Sequence, residues 1–453
     1  MKRNAGTGET ACVSRFQTGN QTENRPLFET KKGDLIMKRK IDVKKREDAW
    51  KQDDLKYPCP SFGKCGGCSL LNVSYEQQLR KKEDLVRSLI GSFGPVHPIT
   101  GMDEPRYYRN KVHAVFGNGK GGRLLCGTYQ EGTHRIVSNE GCLLEDRRAA
   151  TIIQDIRALA QSFGIPAYNE DTGFGILRHV LVRVGHETGQ ILVVLVTGSK
   201  VFPSRRNFVK ELLKRHPEIT TVVENRNDRK TSIVLGEMES VLWGKGYIED
   251  ILCGCRFRIS PRSFYQVNSL QTEVLYRKAV SLAALTGKER VIDAYCGIGT
   301  IGMTCAPCAG EVIGIELNKD AVRDARSNAK LNGISNIQFL QADAGVAMQE
   351  MAERGERVDV LLMDPPRTGS TPEFLHAAAV LQPERIVYIS CEPHTLARDV
   401  KLLSTKGYRM QEAWPVDQFP FTEHVETVCC LYHQKKDFIS VPYEPRKRFN
   451  EGR

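Results

Sequence analysis

The stretch Val291-Ile-Asp-Ala-Tyr-Cys-Gly-Ile-Gly-Thr-Ile-Gly302 decides the fold of this chain. Its apolar start predicts a β-strand, its glycines at 297, 299 and 302 predict a tight loop, and a helix is expected to follow. Glycines at this spacing let the backbone turn sharply and approach a bound ligand closely. The stretch therefore predicts a nucleotide-binding strand, loop and helix, for which a dinucleotide is one candidate ligand.

From about residue 266 onward, short apolar runs alternate with helical segments. The apolar runs are Val291–Asp293, Glu311–Glu316, Ile337–Leu340, Val358–Met363 and Arg385–Ser390, and the clearest helices are Lys319–Leu331 and Thr395–Leu403. This alternation predicts a parallel, doubly wound sheet. The expected fold class is α/β, with a C-terminal Rossmann-like catalytic domain over residues 266–453.

Carboxylates at the ends of the predicted strands separate the candidate ligands. Asp293 lies four residues before Gly297, and the spacing Asp-x-x-x-Gly-x-Gly resembles the first motif of S-adenosylmethionine-dependent methyltransferases. Glu316 ends the next strand, where a carboxylate can bind two ribose hydroxyls. Asp343 follows the third strand, where these enzymes commonly contact adenine. The set favours S-adenosylmethionine over a nicotinamide dinucleotide.

A cysteine follows the fifth predicted strand. Ligands of an open parallel sheet bind beyond the carboxyl ends of its strands, so Cys391 is expected at the mouth of the site, beside the loop from Asp364. A thiolate is a strong, soft nucleophile. Its addition to carbon 6 of a pyrimidine would activate carbon 5 for methylation, and a base must then remove the carbon 5 proton. His424 and Glu426, at the start of a late strand, are both candidates for that base.

Four segments are similar to the RNA uridine 5-methyltransferase family: Ser390–Asp399 (SCEPHTLARD), Asp364–Gly369 (DPPRTG), Phe264–Asn268 (FYQVN) and His424–Glu426 (HVE). The resemblance covers about residues 57–432. It implies that Cys391 is the nucleophile and Glu426 the proton acceptor, and that Phe264 helps to hold the target base. The cofactor contacts that it implies, together with the glycine loop, are Gln266, Tyr295, Gly297, Glu316 and Asp364, with Asp343 close by. Glu392 departs from the family pattern, in which asparagine is common.

The loop Cys59-Pro-Ser-Phe-Gly-Lys-Cys65-Gly-Gly-Cys68 has the spacing C-x5-C-x2-C. Three thiolates on one short glycine-containing loop can converge on a metal, and a fourth ligand must come from elsewhere. Four cysteines suit either tetrahedral zinc or a 4Fe–4S cluster. The resemblance to family members with a CPxFGxCGGC loop implies the iron–sulfur cluster and indicates Cys142 as its fourth ligand.

Residues 57–265 show a mixed pattern that predicts an α+β central domain carrying the cysteine loop. Within it, Glu104–Lys111 (EPRYYRNK) interleaves arginine and lysine with tyrosines, which can pair with phosphates and stack on bases of single-stranded RNA. Residues 1–56 are expected to form a basic, poorly ordered leader that includes the run MKRKIDVKKR. The net charge of +11, from 65 Lys and Arg against 54 Asp and Glu, suits a polyanionic partner.

No apolar run approaches the ~20 residues of a membrane span, and the first residues have no apolar signal-peptide core. A monomeric, cytoplasmic protein without a membrane partner is expected. The predicted function is S-adenosylmethionine-dependent methylation of carbon 5 of a uridine in RNA. Because the cysteine loop resembles the ribosomal branch of the family, 23S ribosomal RNA is favoured over transfer RNA. Two rivals are a methyltransferase acting on an exocyclic nitrogen, which would leave Cys391 and Glu426 idle, and a non-catalytic RNA-binding or chaperone protein.

Overall fold

The computed structural model describes residues 59–229 and 233–434. The predicted basic leader over residues 1–56 therefore lies outside the described residues. The described chain forms two seven-stranded sheets and a two-stranded hairpin between them. No helix in this part of the chain is long and apolar enough to cross a membrane.

The described chain begins with the cysteine loop, which leads into helix α1 (Tyr75–Ile90). Ser74 caps this helix by accepting a hydrogen bond from the backbone N–H of Gln77 at 3.4 Å. Among its buried side chains are two polar ones, Gln78 and Lys82. Helix α1 packs on the last helix and on the strand Tyr408–Val416 of the C-terminal half, so the start of the described chain lies against its end.

The first sheet has the strand order β3-β2-β1-β4-β5-β6-β7 and is antiparallel except for the pair β5 and β6. Its strands are β1 (Lys111–Asn118), β2 (Leu124–Tyr129), β3 (Ile136–Val137), β4 (Leu177–Val184), β5 (Ile191–Thr197), β6 (Ile219–Arg226) and β7 (Met238–Trp243). Helices α2 (Arg147–Ser162) and α3 (Arg205–Arg215) share an apolar core with one face of the sheet. This arrangement agrees with the α+β pattern expected for the central region.

The hairpin of β8 (Ile248–Leu252) and β9 (Cys255–Ile259) leads into α4 (Ser269–Ala283). Buried residues of this hairpin, such as Phe257, belong to the same apolar core as the C-terminal sheet. The segment from 260 to 268, which carries Phe264 and Gln266, therefore runs between the two halves of the molecule.

The second sheet has the order β12-β11-β10-β13-β14-β16-β15, parallel from β12 to β14, with β16 and β15 antiparallel. Its strands are β10 (Arg290–Ala294), β11 (Glu311–Glu316), β12 (Ile337–Gln341), β13 (Val360–Met363), β14 (Arg385–Ser390), β15 (Tyr408–Val416) and β16 (Glu426–His433). The helices that follow the parallel strands are α5 (Thr300–Cys305), α6 (Lys319–Leu331), α7 (Ala344–Glu353), α8 (Pro372–Leu381) and α9 (Pro393–Thr405). The predicted Rossmann-like α/β fold is confirmed.

The strand order reverses beside β10, which pairs with β11 on one side and with β13 on the other. Such a switch point opens a crevice beyond the carboxyl ends of the strands. Ala294 pairs with Met363, and Met363 pairs with Tyr388, so the loops that follow β10, β13 and β14 leave the sheet at one edge. This edge carries the candidate site.

Candidate active site

Asp293 stabilises the glycine loop through a hydrogen bond to its backbone. Its side chain is fully buried, and its Oδ2 accepts the backbone N–H of Gly302 at 2.8 Å. A Cβ atom at Gly302 would lie 2.8 Å from that oxygen, so only glycine fits there. Burial, with smaller contributions from Asp364 and Glu316, raises the pKa of Asp293 to about 7. Within the described chain its Oδ1 has no hydrogen-bond partner.

Glu316 is tied to the same loop. Its Oε2 accepts the N–H of Gly297 at 3.0 Å, and its Oε1 accepts the N–H of Asn318 at 2.8 Å. Gly297 has φ 56°, in the left-handed region that favours glycine. The loop and the carboxylate therefore hold one another at the carboxyl end of β11, where Glu316 was expected to meet a ribose.

Tyr295 and Asp343 line the same edge of the sheet. Tyr295 has φ 64°, its hydroxyl lies 3.4 Å from Oγ of Ser370, and its ring centroid lies 5.3 Å from that of Phe374. Asp343 caps α7, since its Oδ1 accepts the N–H groups of Gly345 at 2.9 Å and Val346 at 3.1 Å. Burial mainly raises the pKa of Tyr295, and the charge of Asp343 adds to the shift. Asp343 thus has a structural task as a helix cap, and its contact with adenine remains a prediction.

Gln266 joins the site to the first sheet. It is buried, and its carbonyl accepts a hydrogen bond from Nδ2 of Asn110 at 2.9 Å. The backbone N–H of Asn110 donates to the carbonyl of Val267, also at 2.9 Å. Asn110 belongs to the basic, tyrosine-containing segment singled out above, so that segment lies beside the site. Phe264 is 70% exposed, which leaves its ring free to contact a base.

Cys391 and Glu426 leave neighbouring strands at one edge of the sheet. In the antiparallel pair of β14 and β16, Ser390 lies opposite Thr427. Cys391 directly follows Ser390, and Glu426 directly precedes Thr427. The antiparallel direction of β16 therefore brings the two residues to one edge of the sheet although they are 35 positions apart in the chain.

The charges of Glu426, Asp364 and Arg367 all act on the pKa of the Cys391 thiol. Burial raises the pKa of Glu426 to about 8 and that of Asp364 to about 7, and Asp364 adds to the shift of Glu426. Burial, then Glu426 and Asp364, raise the pKa of the Cys391 thiol to about 12, while Arg367 acts in the opposite direction on Cys391 and Glu426. Glu426 is 3% exposed, and its Oε2 has no hydrogen-bond partner among the described residues. A nearby cation would lower all three pKa values.

The other candidate base, His424, is half-buried and lies two residues before Glu426. Burial lowers the pKa of its imidazole, and the charges of Arg367 and Lys82 lower it further. Its ring makes an edge contact with Phe419, with a centroid distance of 6.2 Å. Because Glu426 is more deeply buried and continues the strand that pairs beside Cys391, it is the better placed of the two.

Glu392, the departure from the family pattern, acts as the N-cap of α9. Its carboxylate accepts the N–H of His394 at 3.2 Å. The hydroxyl of Ser390 accepts the N–H of Glu392 at 3.2 Å and donates to its carbonyl at 3.1 Å. Glu392 thus caps the helix at the position where asparagine is common in the family, directly after Cys391.

The four cysteines of the predicted cluster are neighbours. Burial raises the pKa of Cys68 to about 12, and the charges of Cys142, Cys65 and Cys59 each add to the shift. Cys68 and Cys142 also pack on one apolar cluster. Four cysteines are the number and type of ligands that a 4Fe–4S cluster needs. However, within residues 59–229 and 233–434 no three His, Cys, Asp or Glu side chains have the arrangement of a metal site.

Sequence reasoning missed the role of Arg367 as the cation beside Cys391 and Glu426. The only clue was its place in the DPPRTG segment. It also missed the contacts between the N-terminal segment and the loop before Glu426, because those residues are separated by more than 300 positions.

Comparisons with known proteins agree with this geometry. Residues 252–435 match the family model described as tRNA (uracil-5-)-methyltransferase. An uncharacterized RNA methyltransferase of Halalkalibacterium halodurans is 42% identical over 384 residues, which cover 84% of each chain. One from Oceanobacillus iheyensis is 43% identical over 373 residues, 81% of each chain. The crystal structure of Pyrococcus abyssi tRNA (uracil-54, C5)-methyltransferase with S-adenosyl-L-homocysteine has a TM-score of 0.68 and 27% identity, covering 82% of this chain and 86% of that one.

Proposed function

The chain belongs to the RNA uridine 5-methyltransferase family, and we propose on that basis that it methylates carbon 5 of a specific uridine in RNA, with Cys391 as nucleophile and Glu426 as proton acceptor. The observation that carries this proposal is the pairing of Ser390 with Thr427, which brings Cys391 and Glu426 to one edge of the sheet. The charges of Asp364 and Arg367 act on the pKa values of both residues.

The nucleophile acts first. The Cys391 thiolate forms a bond to carbon 6 of uracil, and the electron pair of the carbon 5–carbon 6 double bond moves onto the ring as an enolate. Carbon 5, now electron-rich, accepts the methyl group. The charge of Arg367 lowers the pKa of the Cys391 thiol and so offsets part of the rise that burial, Glu426 and Asp364 cause.

The base acts after methyl transfer. Glu426 takes the proton from carbon 5, the electron pair of that carbon–hydrogen bond restores the double bond to carbon 6, and the Cys391 sulfur leaves as thiolate. A carboxylate with a pKa near 8 is a stronger base than an exposed glutamate, which suits it for this step.

The residues proposed to bind S-adenosylmethionine are Gln266, Tyr295, Gly297, Glu316, Asp343 and Asp364. Tyr295, Gly297, Asp343 and Asp364 follow strands and Glu316 ends one, all at the carboxyl edge of the parallel sheet, and Gln266 lies in the segment before α4. Asp293 supports the glycine loop by accepting the N–H of Gly302. When bound, S-adenosylmethionine supplies the methyl group on a positively charged sulfonium, and that charge would lower the pKa values of Asp364, Glu426 and Cys391. Burial raises the pKa values of Asp364 and Glu426, and a cationic ligand would stabilise their ionised forms.

We assign RNA binding to residues 57–265 and catalysis to residues 266–453, with residues 1–56 as a basic leader. The contact of Asn110 with Gln266 supports this division, because it joins the basic segment 104–111 to the site. Phe264, exposed between the two halves, is proposed to hold the target base. We further propose that the protein acts as a monomer in the cytoplasm.

The favoured substrate is 23S ribosomal RNA, since the cysteine loop resembles the ribosomal branch of the family. Transfer RNA is the second candidate, because the Pyrococcus abyssi neighbour acts, by its name, on uracil 54 of transfer RNA. We propose that Cys59, Cys65, Cys68 and Cys142 hold a 4Fe–4S cluster. The proximity of the four thiols supports this proposal, and four cysteinyl ligands are the usual set for such a cluster.

Mapping 5-methyluridine in ribosomal and transfer RNA from cells with and without the gene tests the substrate. Loss of one ribosomal 5-methyluridine, restored by the wild-type gene and not by the Cys391→Ala variant, is the expected result. Loss confined to transfer RNA would select the second candidate, and an unchanged modification pattern would reject the proposed function.

A further inference from the structure

The residues from 417 to 425 connect β15 to β16 and end directly at Glu426, and we call them the base loop. Phe421 lies in its middle. The carbonyl of Phe421 accepts the N–H groups of Ser69 at 3.1 Å and Leu70 at 3.0 Å, and its own N–H donates to Oε1 of Gln78 at 2.9 Å. Both backbone polar groups of Phe421 are thus bound by residues at the other end of the chain.

Phe421 also has an unusual backbone conformation. Its φ is 66°, in the left-handed region that residues other than glycine rarely adopt. Such a conformation persists only where the surroundings hold it. Packing of the phenyl ring also stabilises this conformation. The ring is 4% exposed and lies in the apolar cluster that Cys68 and Cys142 also contact. The cysteine loop and the base loop therefore share one small core.

A second anchor lies at the start of the base loop. Nζ of Lys82 lies 2.5 Å from Oδ1 of Asp417, and these side chains are 2% and 0% exposed. The hydroxyl of Tyr75 donates to Oδ2 of Asp417 at 2.7 Å, and Lys82 donates a second hydrogen bond to the carbonyl of Phe419 at 3.0 Å. Removing one partner of a buried ion pair leaves the other charge unpaired, so the contact is costly to break.

Both halves of the molecule contact the start of the base loop, and residues early in the chain hold its middle. Helix α4 reaches its first two residues, since Gln271 donates to the carbonyl of Asp417 at 3.1 Å and Asn268 donates to that of Gln418 at 3.0 Å. From Phe419 to Phe421, the hydrogen bonds that reach the described loop from outside come from residues early in the chain. These donors and acceptors are Ser69, Leu70, Gln78, Lys82 and Tyr108.

The contacts that fix Phe419 and Phe421 are linked to Glu426 by further hydrogen bonds in the base loop. The hydroxyl of Thr422 donates to the carbonyl of Phe419 at 2.8 Å and accepts the N–H of His424 at 3.3 Å. Only Val425 then separates His424 from Glu426, where pairing with β14 and β15 begins. A shift of the turn at Phe421 would therefore move the side chain that faces Cys391.

We propose that the segment from the cysteine loop to the first turns of α1 positions Glu426 for removal of the carbon 5 proton, with Lys82 and Phe421 as the positioning residues. The proposal rests on the base role of Glu426 given above. Disturbing this segment then slows proton removal and release of RNA. Binding of S-adenosylmethionine, whose proposed contacts lie on other loops, is preserved.

A single-turnover assay tests the proposal because it follows two steps separately. RNA that carries tritium on carbon 5 of its uridines is mixed with full-length protein and methyl-labelled S-adenosylmethionine. Methyl transfer is measured as the methyl label incorporated into RNA. Proton removal is measured as tritium released into water. For Lys82→Met and Phe421→Leu we expect methyl transfer within about threefold of wild type, tritium release slowed at least tenfold, and accumulation of a protein–RNA adduct.

Matched controls separate positioning from general damage. Lys81 is the exposed neighbour of Lys82, and Lys81→Met should match wild type in both steps. Glu426→Gln should show the slow release in its strongest form. If that variant releases tritium normally, Glu426 is not the base and the positioning inference fails with that role. If wild type transfers no methyl group, the proposed function itself fails.

If Glu426→Gln accumulates the adduct while Lys82→Met and Phe421→Leu release tritium at the wild-type rate, only the positioning inference is overturned. A parallel loss of both steps together with cofactor affinity in one variant would mean that its fold is damaged. The other variant then decides whether the positioning role holds. If both variants lose methyl transfer, tritium release and cofactor affinity together, Lys82 and Phe421 have a structural role and the positioning role is rejected.

Discussion

Ser390 lies directly opposite Thr427 in the antiparallel pair of β14 and β16. The residue after the first is Cys391 and the residue before the second is Glu426, so a thiol and a buried carboxyl group leave the sheet side by side. Because β16 runs antiparallel to β14, the start of β16 lies beside the carboxyl end of β14. This arrangement joins a nucleophile and a base at the carboxyl edge, where ligands of this fold bind.

Replacing Cys391 by alanine should abolish the covalent complex with RNA. Wild-type protein incubated with 5-fluorouridine RNA and S-adenosylmethionine should form a stable adduct, because fluorine at carbon 5 cannot leave as a proton does. Denaturing gel electrophoresis detects the adduct as a band of increased mass. Cys430→Ala, which removes a buried strand thiol, serves as the control and should retain the adduct.

The Glu426→Gln variant should methylate RNA but release it slowly. Without the carboxylate, the carbon 5 proton is retained and the thiolate cannot be expelled. The methylated adduct should therefore accumulate with ordinary RNA, without any fluorinated analogue, and multiple turnover should fall by about 10²–10⁴-fold, the usual contribution of a general base. Normal turnover in this variant would transfer the base role to His424 or to water.

The contribution of Glu426 to the stability of the free protein should decrease as the pH rises from about 5 to about 8.5. Folding raises the pKa of Glu426 from 4.5 to about 8, so the folded state holds this proton more tightly than the unfolded state does. The resulting contribution is complete below the unfolded value and is lost as the pH rises through the folded value. Since one unit of pKa shift corresponds to about 1.4 kcal/mol, Glu426→Gln should show a melting temperature several degrees less sensitive to pH over this range.

Introducing a methyl group at Gly302 should damage the cofactor loop. In Gly302→Ala the new Cβ would lie 2.8 Å from Oδ2 of Asp293, which now accepts the N–H of Gly302. We expect affinity for S-adenosylmethionine to fall at least tenfold, measured by calorimetry. Gly333→Ala serves as a control without a clash: unlike Gly302, this glycine has φ 64°, and no atom lies within 4 Å of its added Cβ, so the change introduces only backbone strain.

Protein purified without air should be brown and contain about four irons per chain, as a 4Fe–4S cluster requires. Cys142→Ser should lose the colour and the iron, while affinity for S-adenosylmethionine should survive because the cofactor loop lies on the other sheet. One bound zinc in a colourless protein would contradict the cluster. Unchanged iron in the Cys142 variant would contradict only the fourth ligand.

Much of the catalytic half could be predicted because its information is local. The alternation of apolar runs and helices predicts a parallel sheet, and the spacing of Asp293 and the glycines predicts a tight cofactor loop. The carboxyl ends of parallel strands meet at one edge, so the placement of Glu316, Asp364 and Cys391 follows from strand order alone. The cysteine spacing likewise identifies a shared loop before any coordinate is known.

The contacts of the base loop could not be predicted in this way. Lys82 and Asp417 are 335 positions apart, and Gln78 and Phe421 are 343 apart. No periodicity or spacing relates such residues, because a buried ion pair and hydrogen bonds to a left-handed backbone depend on how separate elements pack. The sequence by itself determined the sheet, the cofactor loop and the identity of the reactive groups. Only the tertiary structure decided what holds Glu426 beside Cys391, since that depends on the packing of the first helix against the last two strands.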